Sequence, residues 1–266
     1  MEGLSICVLN HNEQEVTERC VEAIYMQNSP DFHNWEIIIV DNGSTDGSAE
    51  AAQKRFPIVE ILKADNKDGF ITGLNFTFSR AKYENVFFVS NDVFLKEDCI
   101  KEMLKVLQLF PKAVIQPVFE WPNGKIQNAG MDWKWPGYGY ACQKIMSEGD
   151  YYSPDIVTTT ALMMKKDTFL SIGDFDVKYR PAHYEDVDYS MRAREKRHPL
   201  LVCNKARTEH LASHTISKQD GKHGTSDRCH RNRLYLVRKH YKGFDQFLRV
   251  VTIHILDFFG RLLRMR

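Results

Sequence analysis

A chain of 266 residues is long enough for one large α/β domain or two small ones, and 36 Lys plus Arg against 35 Asp plus Glu leave no global field for nucleic acid. The six cysteines form no Cys-x-x-Cys pair, which argues against structural zinc and for reduced thiols. No apolar run reaches the ~18 residues of a membrane span, and Met1-Glu2-Gly3 leads straight into an apolar run, so a cytoplasmic protein without a leader is expected.

Apolar, β-branched runs at 4–9, 36–40, 58–62 and 86–90 read as strands, and helical spacing at 13–27, 48–55, 69–81 and 96–110 reads as the helices between them. Such alternation predicts a mostly parallel sheet covered on both faces. The first loop, Asn10-His11-Asn12-Glu13, lacks the glycine fingerprint of a dinucleotide site, and no Walker loop is present. After the second strand comes a loop dense in Asn, Asp, Gly and Ser, 41–48, at the carboxyl end where open α/β sheets take ligands. The fourth strand ends on an acid, in Ser90-Asn91-Asp92-Val93.

Beyond 113 the texture turns to Pro, Gly and aromatic residues. Trp133 and Trp135 could stack on the C–H face of a sugar or simply cap an irregular core. A strand at 156–164, a helix at 184–196 and a strand at 200–203 follow. Glu185, Asp186 and Asp188 crowd the mouth of that helix. Acids are favoured in a first helical turn, yet a carboxylate so placed can also take a proton from a hydroxyl. The tail from 225 reads as two helices, and from Arg228 onward it carries a net +8. Its stretch 244–263 has one apolar helical face, fit for a membrane interface, for its own domain or for a second subunit.

Six short stretches recur together and in order: Ser5 to Glu13, Val40 to Ser48, Asn66 to Asn75, Val89 to Val93, Gly124 to Gly130, and Gly173 to Asp188. With them the chain resembles the inverting glycosyltransferases of family 2, which have the GT-A fold, in the branch similar to rhamnosyl- and galactofuranosyltransferases. The resemblance implies an α/β fold with a Rossmann-like, mostly parallel central sheet flanked by helices, a mixed acceptor-side half and a C-terminal helical tail. It divides the chain into a glycosyltransferase domain, 1–215, and a basic helical extension, 216–266. Within the domain, 1–112 is the nucleotide-sugar half and 113–215 the acceptor half.

The activity so implied is metal-assisted transfer of a hexose or deoxyhexose from a nucleoside-diphosphate sugar to a glycan or lipid-linked acceptor. Asp186 maps to the general base. Asn12, Glu13, Asp41, Asn66, Gly69, Asn91 and Asp92 map to donor binding. Trp133, Trp135, Glu185 and Asp188 fall on the acceptor side. Asp92 and His210 map to the ligands of Mn²⁺ or Mg²⁺, although Ser90 replaces the first acid of the family's metal motif. Peripheral contact with the inner face of a membrane and a homo-oligomer are left open. Two rivals stand beside this reading, a catalytically silent sugar-nucleotide- or glycan-binding protein of the same fold and a nucleotidyltransferase.

Overall fold

The computed structural model of the chain describes residues 3–27, 34–64, 69–211 and 214–264. Strand and helix alternate in its first half: β1 (Leu4–Asn10), α1 (Gln14–Tyr25), β2 (Trp35–Asp41), α2 (Ser48–Arg55), β3 (Val59–Lys63), α3 (Phe70–Arg80), β4 (Asn85–Ser90), β5 (Val93–Leu95) and α4 (Cys99–Leu109). β1 pairs in parallel with both β2 and β4, and β2 with β3. Every residue of β1 is buried, the pattern of a strand covered on both faces. Ile6 and Val8 pack with Cys20, Ile24 and Met103 of α1 and α4, while Cys7 and Leu9 pack with Leu74 and Phe78 of α3. Each Ile, Val, Leu, Phe or Met side chain so buried contributes about 1.5–3 kcal/mol. α3 lies close to β1 because Gly73 has no side chain: a Cβ there would stand 2.6 Å from Leu9 Cδ1.

The second half runs β6 (Val114–Glu120), β7 (Ile126–Asn128), β8 (Met131–Lys134), β9 (Tyr138–Ala141), β10 (Tyr151–Tyr152), β11 (Ala161–Lys165), α5 (Lys166–Ile172), α6 (Glu185–Glu195), β12 (Leu200–His210), α7 (His214–His240) and α8 (Gly243–Arg264). The main sheet has the order β10-β12-β6-β11-β4-β1-β2-β3. It is mixed, not mostly parallel, because β11 enters antiparallel to both β4 and β6. The fold is α/β of the GT-A kind, with helices flanking a mixed sheet and a helical C-terminal region.

Three boundaries differ from the apolar pattern, each for a reason in the pairing. β11 starts only at Ala161; Ile156 makes a single bridge to Met131, and the buried Thr158 after it donates its N–H to the Gln116 side chain instead of to a strand. β12 continues to His210, since its register shifts between Cys203 and Arg207 and its far end then pairs with β5. α7 begins at His214 and is no loose appendage: Leu236 is fully buried in the core between α3, α5 and α6. None of the six cysteines is in a disulfide. Among the described residues no helix is long and apolar enough to cross a membrane.

Candidate active site

A cavity of about 600 Å³ opens outside the carboxyl ends of β1 and β4, where the sequence pattern of an open α/β sheet puts a ligand. Leu9, Ser90, Asn91 and Asp92 reach its wall from those strand ends, Gly69 and Phe70 from the start of α3, and Thr158, Thr159 and Thr160 from the stretch before β11. Glu185 and Asp186 of α6, His210 of β12, and Arg228, Cys229 and Arg233 of α7 add to it.

Asp92 and His210 meet because of a strand ladder. β5 pairs antiparallel with β12 so that His210 stands opposite Val93, the residue after Asp92, and Leu211 N–H donates to the Asp92 carbonyl at 3.1 Å. His210 Nε2 then lies 3.4 Å from Asp92 Oδ2. One carboxylate oxygen and one imidazole nitrogen facing each other suit Mn²⁺ or Mg²⁺, both of which leave room for ligand oxygens and water. Among the described residues no third His, Cys, Asp or Glu joins them, which leaves the remaining positions to water or a bound ligand.

The acids of α6 divide by face. Glu185 is buried, and its Oε1 accepts a hydrogen bond from Thr159 Oγ1 at 3.0 Å, while Oε2 has no partner among the described residues. Asp186 Oδ1 accepts from the Val187 N–H at 2.8 Å. Burial pushes both carboxyl groups up from their ordinary range, and at Glu185 the charge of Asp186 acts in the same direction. The helix start favours negative charge in this turn and keeps a carboxylate there tolerable. Asn232 of α7, almost fully buried, donates from Nδ2 to the carbonyls of Tyr179, Ala182 and His183, fixing the loop that aims α6.

Not all residues singled out from sequence gather here. Gly69, Asn91, Asp92, Glu185, Asp186 and His210 line the cavity; Asn12, Glu13 and Asp41 do not. Asn12 and Glu13 adopt left-handed backbone, φ 61° and 67°, and Asn12 Oδ1 accepts from the Thr45 N–H at 2.8 Å, bracing one loop on the next. Asp41 Oδ1 accepts from the Ser44 N–H at 3.1 Å. Asn91 lines the wall but also braces the first loop, donating to Asn10 Oδ1 at 3.0 Å. Asn66 lies outside the described residues.

Asp188 is a clear correction: fully buried, it turns from the cavity into a cluster of Arg192, Lys239 and His240. Burial alone would raise its pKa, but hydrogen bonds from His240 and Lys239 and the charge of Arg192 hold it well below the usual carboxylate range. The two tryptophans lie outside the cavity as well. Trp133 Nε1 donates to Tyr241 Oη at 2.9 Å, and Trp135 is 54% exposed; neither lines the cavity. Tyr138 and Tyr184 supply its aromatic wall instead. Arg233 ties them together, its guanidinium 3.9 Å from the Tyr138 ring centre and its Nε donating to Tyr184 Oη at 2.8 Å. His11 and Asn42, each one position from a singled-out residue, also line the wall.

The model of Glycosyl transferase family 2 matches residues 5–169. The chain belongs to this family. The matched part holds Asp92 and stops short of Asp186 and His210, so those two enter through geometry. The chain is 34% identical over 110 residues to glycosyltransferase GlyG of Streptococcus pneumoniae, a match covering 40% of this chain and 36% of that protein. It thus spans little more than a third of that relative. It is 22% identical over 215 residues, 70% of each chain, to the N-acetylglucosaminyl-diphospho-decaprenol L-rhamnosyltransferase of Mycobacterium tuberculosis. Among solved structures, GalNAc-T7 with UDP, GalNAc and Mn²⁺ superposes with a TM-score of 0.73 at 12% identity, over 89% of this family 2 chain and 47% of that one. This last likeness is one of fold.

Proposed function

We propose that the protein is an inverting glycosyltransferase that moves a hexose or deoxyhexose from a nucleoside-diphosphate sugar to the hydroxyl of a glycan or lipid-linked acceptor. The observation that carries this reading is the single cavity shared by Asp186 on one wall and the Asp92–His210 pair on another, at the carboxyl ends of parallel strands. In this reading residues 1–112 bind the nucleotide, 113–215 present the acceptor, and 216–266 close the site through α7. The rhamnosyltransferase relative supports a deoxyhexose donor within the range.

Asp186 takes the proton of the acceptor hydroxyl as that oxygen attacks the anomeric carbon. The new C–O bond forms on the face opposite the breaking bond to the diphosphate, which leaves with the electron pair. One base suffices, since no covalent sugar intermediate has to be made and undone. The raised pKa of Asp186 suits this task, because a base works best when its pKa lies near the working pH. Asp92 and His210 would hold Mn²⁺ or Mg²⁺, which offsets the charge of the departing diphosphate. Tyr138, Tyr184 and Arg233 offer an aromatic and cationic wall to the acceptor. The exposed apolar face of α8 is assigned to peripheral membrane contact.

A thermal-shift series with UDP-, dTDP-, GDP- and CDP-sugars, with and without Mn²⁺, tests the donor class. A ligand at about 100 times its dissociation constant adds roughly 2.7 kcal/mol of stability. A flat response to every nucleotide sugar in the presence of Mn²⁺ rules the transferase reading out.

A further inference from the structure

Gln127 sits on β7 with its amide against His210 at two points, and the two contacts together decide which way both groups are turned. One end of the amide is 3.3 Å from the His210 backbone carbonyl oxygen, and the other is 2.6 Å from His210 Nδ1. A carbonyl oxygen only accepts, so the NH₂ end of the amide must face it. The amide oxygen therefore faces Nδ1, and at 2.6 Å an acceptor can face Nδ1 only if that nitrogen carries its hydrogen. The opposite ring nitrogen, Nε2, is left to point its lone pair at Asp92 Oδ2, 3.4 Å away. Two acceptors then face each other in the wall of the cavity, and a cation between them satisfies both. A ring bearing both protons keeps the same Nδ1–H, so the Gln127 contact is indifferent to that step.

We infer that Gln127 is a positioning residue that fixes the Nδ1–H tautomer of His210 and so presents Nε2 as a ready ligand for a divalent cation shared with Asp92. The geometry is built for the purpose. Gln127 is nearly buried, which shields its hydrogen bonds from water, and Phe119 packs against the imidazole edge to face, ring centres 5.8 Å apart. A ligating imidazole whose other nitrogen is held by such a partner has its orientation set before the metal arrives; removing the partner typically costs 10–100-fold in metal affinity. The inference rests on the metal-assisted reading above, but it is tested on the protein without a donor or an acceptor.

The experiment compares wild type with Gln127→Leu and Gln127→Glu. Nitrogen-detected NMR of metal-free protein, above the pH range in which histidine is protonated, reads the tautomer; titration with Mn²⁺ in the presence of inorganic pyrophosphate, followed by electron paramagnetic resonance, reads affinity. Wild type is expected to show Nδ1–H and bare Nε2. Q127L should lose the single tautomer and bind Mn²⁺ about 10–100-fold more weakly. Q127E retains an acceptor for Nδ1–H and should keep the tautomer. An Nε2–H tautomer in wild type overturns the inference, as does Mn²⁺ binding by Q127L equal to wild type. If Q127L fails to fold, loss of the Nδ1–H tautomer in Q127E overturns it and retention supports it. Wild type that takes up no Mn²⁺ sinks the metal reading and this inference with it; uptake through the other tautomer sinks this inference alone.

Discussion

His240 Nε2 lies 2.9 Å from Asp188 Oδ1, joining the last turn of α7 to the helix that carries the candidate base. Lys239 Nζ meets the same oxygen at 2.7 Å and Arg192 Nε meets Oδ2 at 2.8 Å, so one buried carboxylate gathers two cationic side chains and an imidazole from two helices. The consequence reaches the cavity. α7 supplies Arg228 and Arg233 to its wall and α6 supplies Glu185 and Asp186, and the Asp188 cluster holds those helices in register.

Asp188→Asn should therefore act on stability and not on substrate. Breaking a buried ion pair by removing one partner typically costs about 3–5 kcal/mol. Chemical denaturation at neutral pH should show a loss of that size, with the KM for acceptor unchanged in the folded enzyme. The depressed pKa of Asp188 makes its contribution present above the ordinary carboxylate range and lost only as pH falls through the lowered value. A variant of wild-type stability with a raised acceptor KM would return Asp188 to the acceptor site.

Asp186→Asn should keep donor binding while transfer falls by about 10²- to 10⁴-fold, the usual worth of a positioned base. In the wild type, transfer should rise with pH through a limb displaced above the ordinary carboxylate pKa, since burial raises that of Asp186 and the base must be ionised to act. Single-turnover rates across pH measure both effects. Wild-type rates in the variant remove Asp186 from the role.

Glu185→Gln tests the cost of burying that carboxyl group. Its raised pKa means that the folded state binds the proton more tightly than the unfolded chain, so its contribution is full at low pH and is lost as pH rises through the raised value. The amide cannot ionise and keeps an acceptor for Thr159. Above the raised pKa the variant should melt higher than wild type, by about 2–4 °C for each kcal/mol gained, with the gap closing on acidification. A gap independent of pH would show that Glu185 is already ionised without penalty.

Strand positions were legible because a buried parallel strand is a continuous apolar run, and β1 to β4 fall within a few residues of theirs. The mixed character of the sheet was not, since nothing local in Ala161–Lys165 records the direction in which it pairs. Helix period could have separated the acids: Asp188 stands two residues beyond Asp186, about 200° around the axis at 3.6 residues per turn, so both could not face one cavity. His11 and Asn42 were missed for the same kind of reason. At a strand end a step of one residue changes face, and the cavity receives the neighbours of Asn12 and Asp41. Gln127 lies in the Gly124 to Gly130 stretch with no role legible in the sequence, because its partner His210 is 83 residues away and meets it only through the β6–β7 and β6–β12 ladders.

Asp92→Ala should abolish the Mn²⁺-dependent part of donor binding. The measurement is the thermal shift by nucleotide sugar at about 100 times its dissociation constant, where the roughly 2.7 kcal/mol gained by wild type should shrink to the metal-free value. Wild-type activity that survives a chelator would reject the metal assignment while leaving the transferase reading in place.

On α8 the outward stripe of Phe244, 74% exposed, and Phe247, 60% exposed, continues through Leu248, Val251 and Ile255, while Ile253 on the opposite side is fully buried. Substituting Phe244, Phe247 and Val251 by Ser should change stability by no more than about 0.5 kcal/mol each, as at exposed sites generally. Ile253→Ala should cost about 2–5 kcal/mol. If the stripe meets a membrane, the triple variant should also co-sediment less with anionic vesicles. The charge expected to assist is partly spent within the protein: Arg231 donates to the Arg180 carbonyl, Arg233 to Tyr184, Lys239 to Asp176, and Arg249 to Asp245 and the Pro136 carbonyl. Insertion of apolar side chains should then dominate, and binding should fall only shallowly with salt, more shallowly than about 1 kcal/mol per cation would give if all ten Lys and Arg from Arg228 onward faced the lipid. Equal sedimentation of the wild type and the triple variant rejects the membrane role.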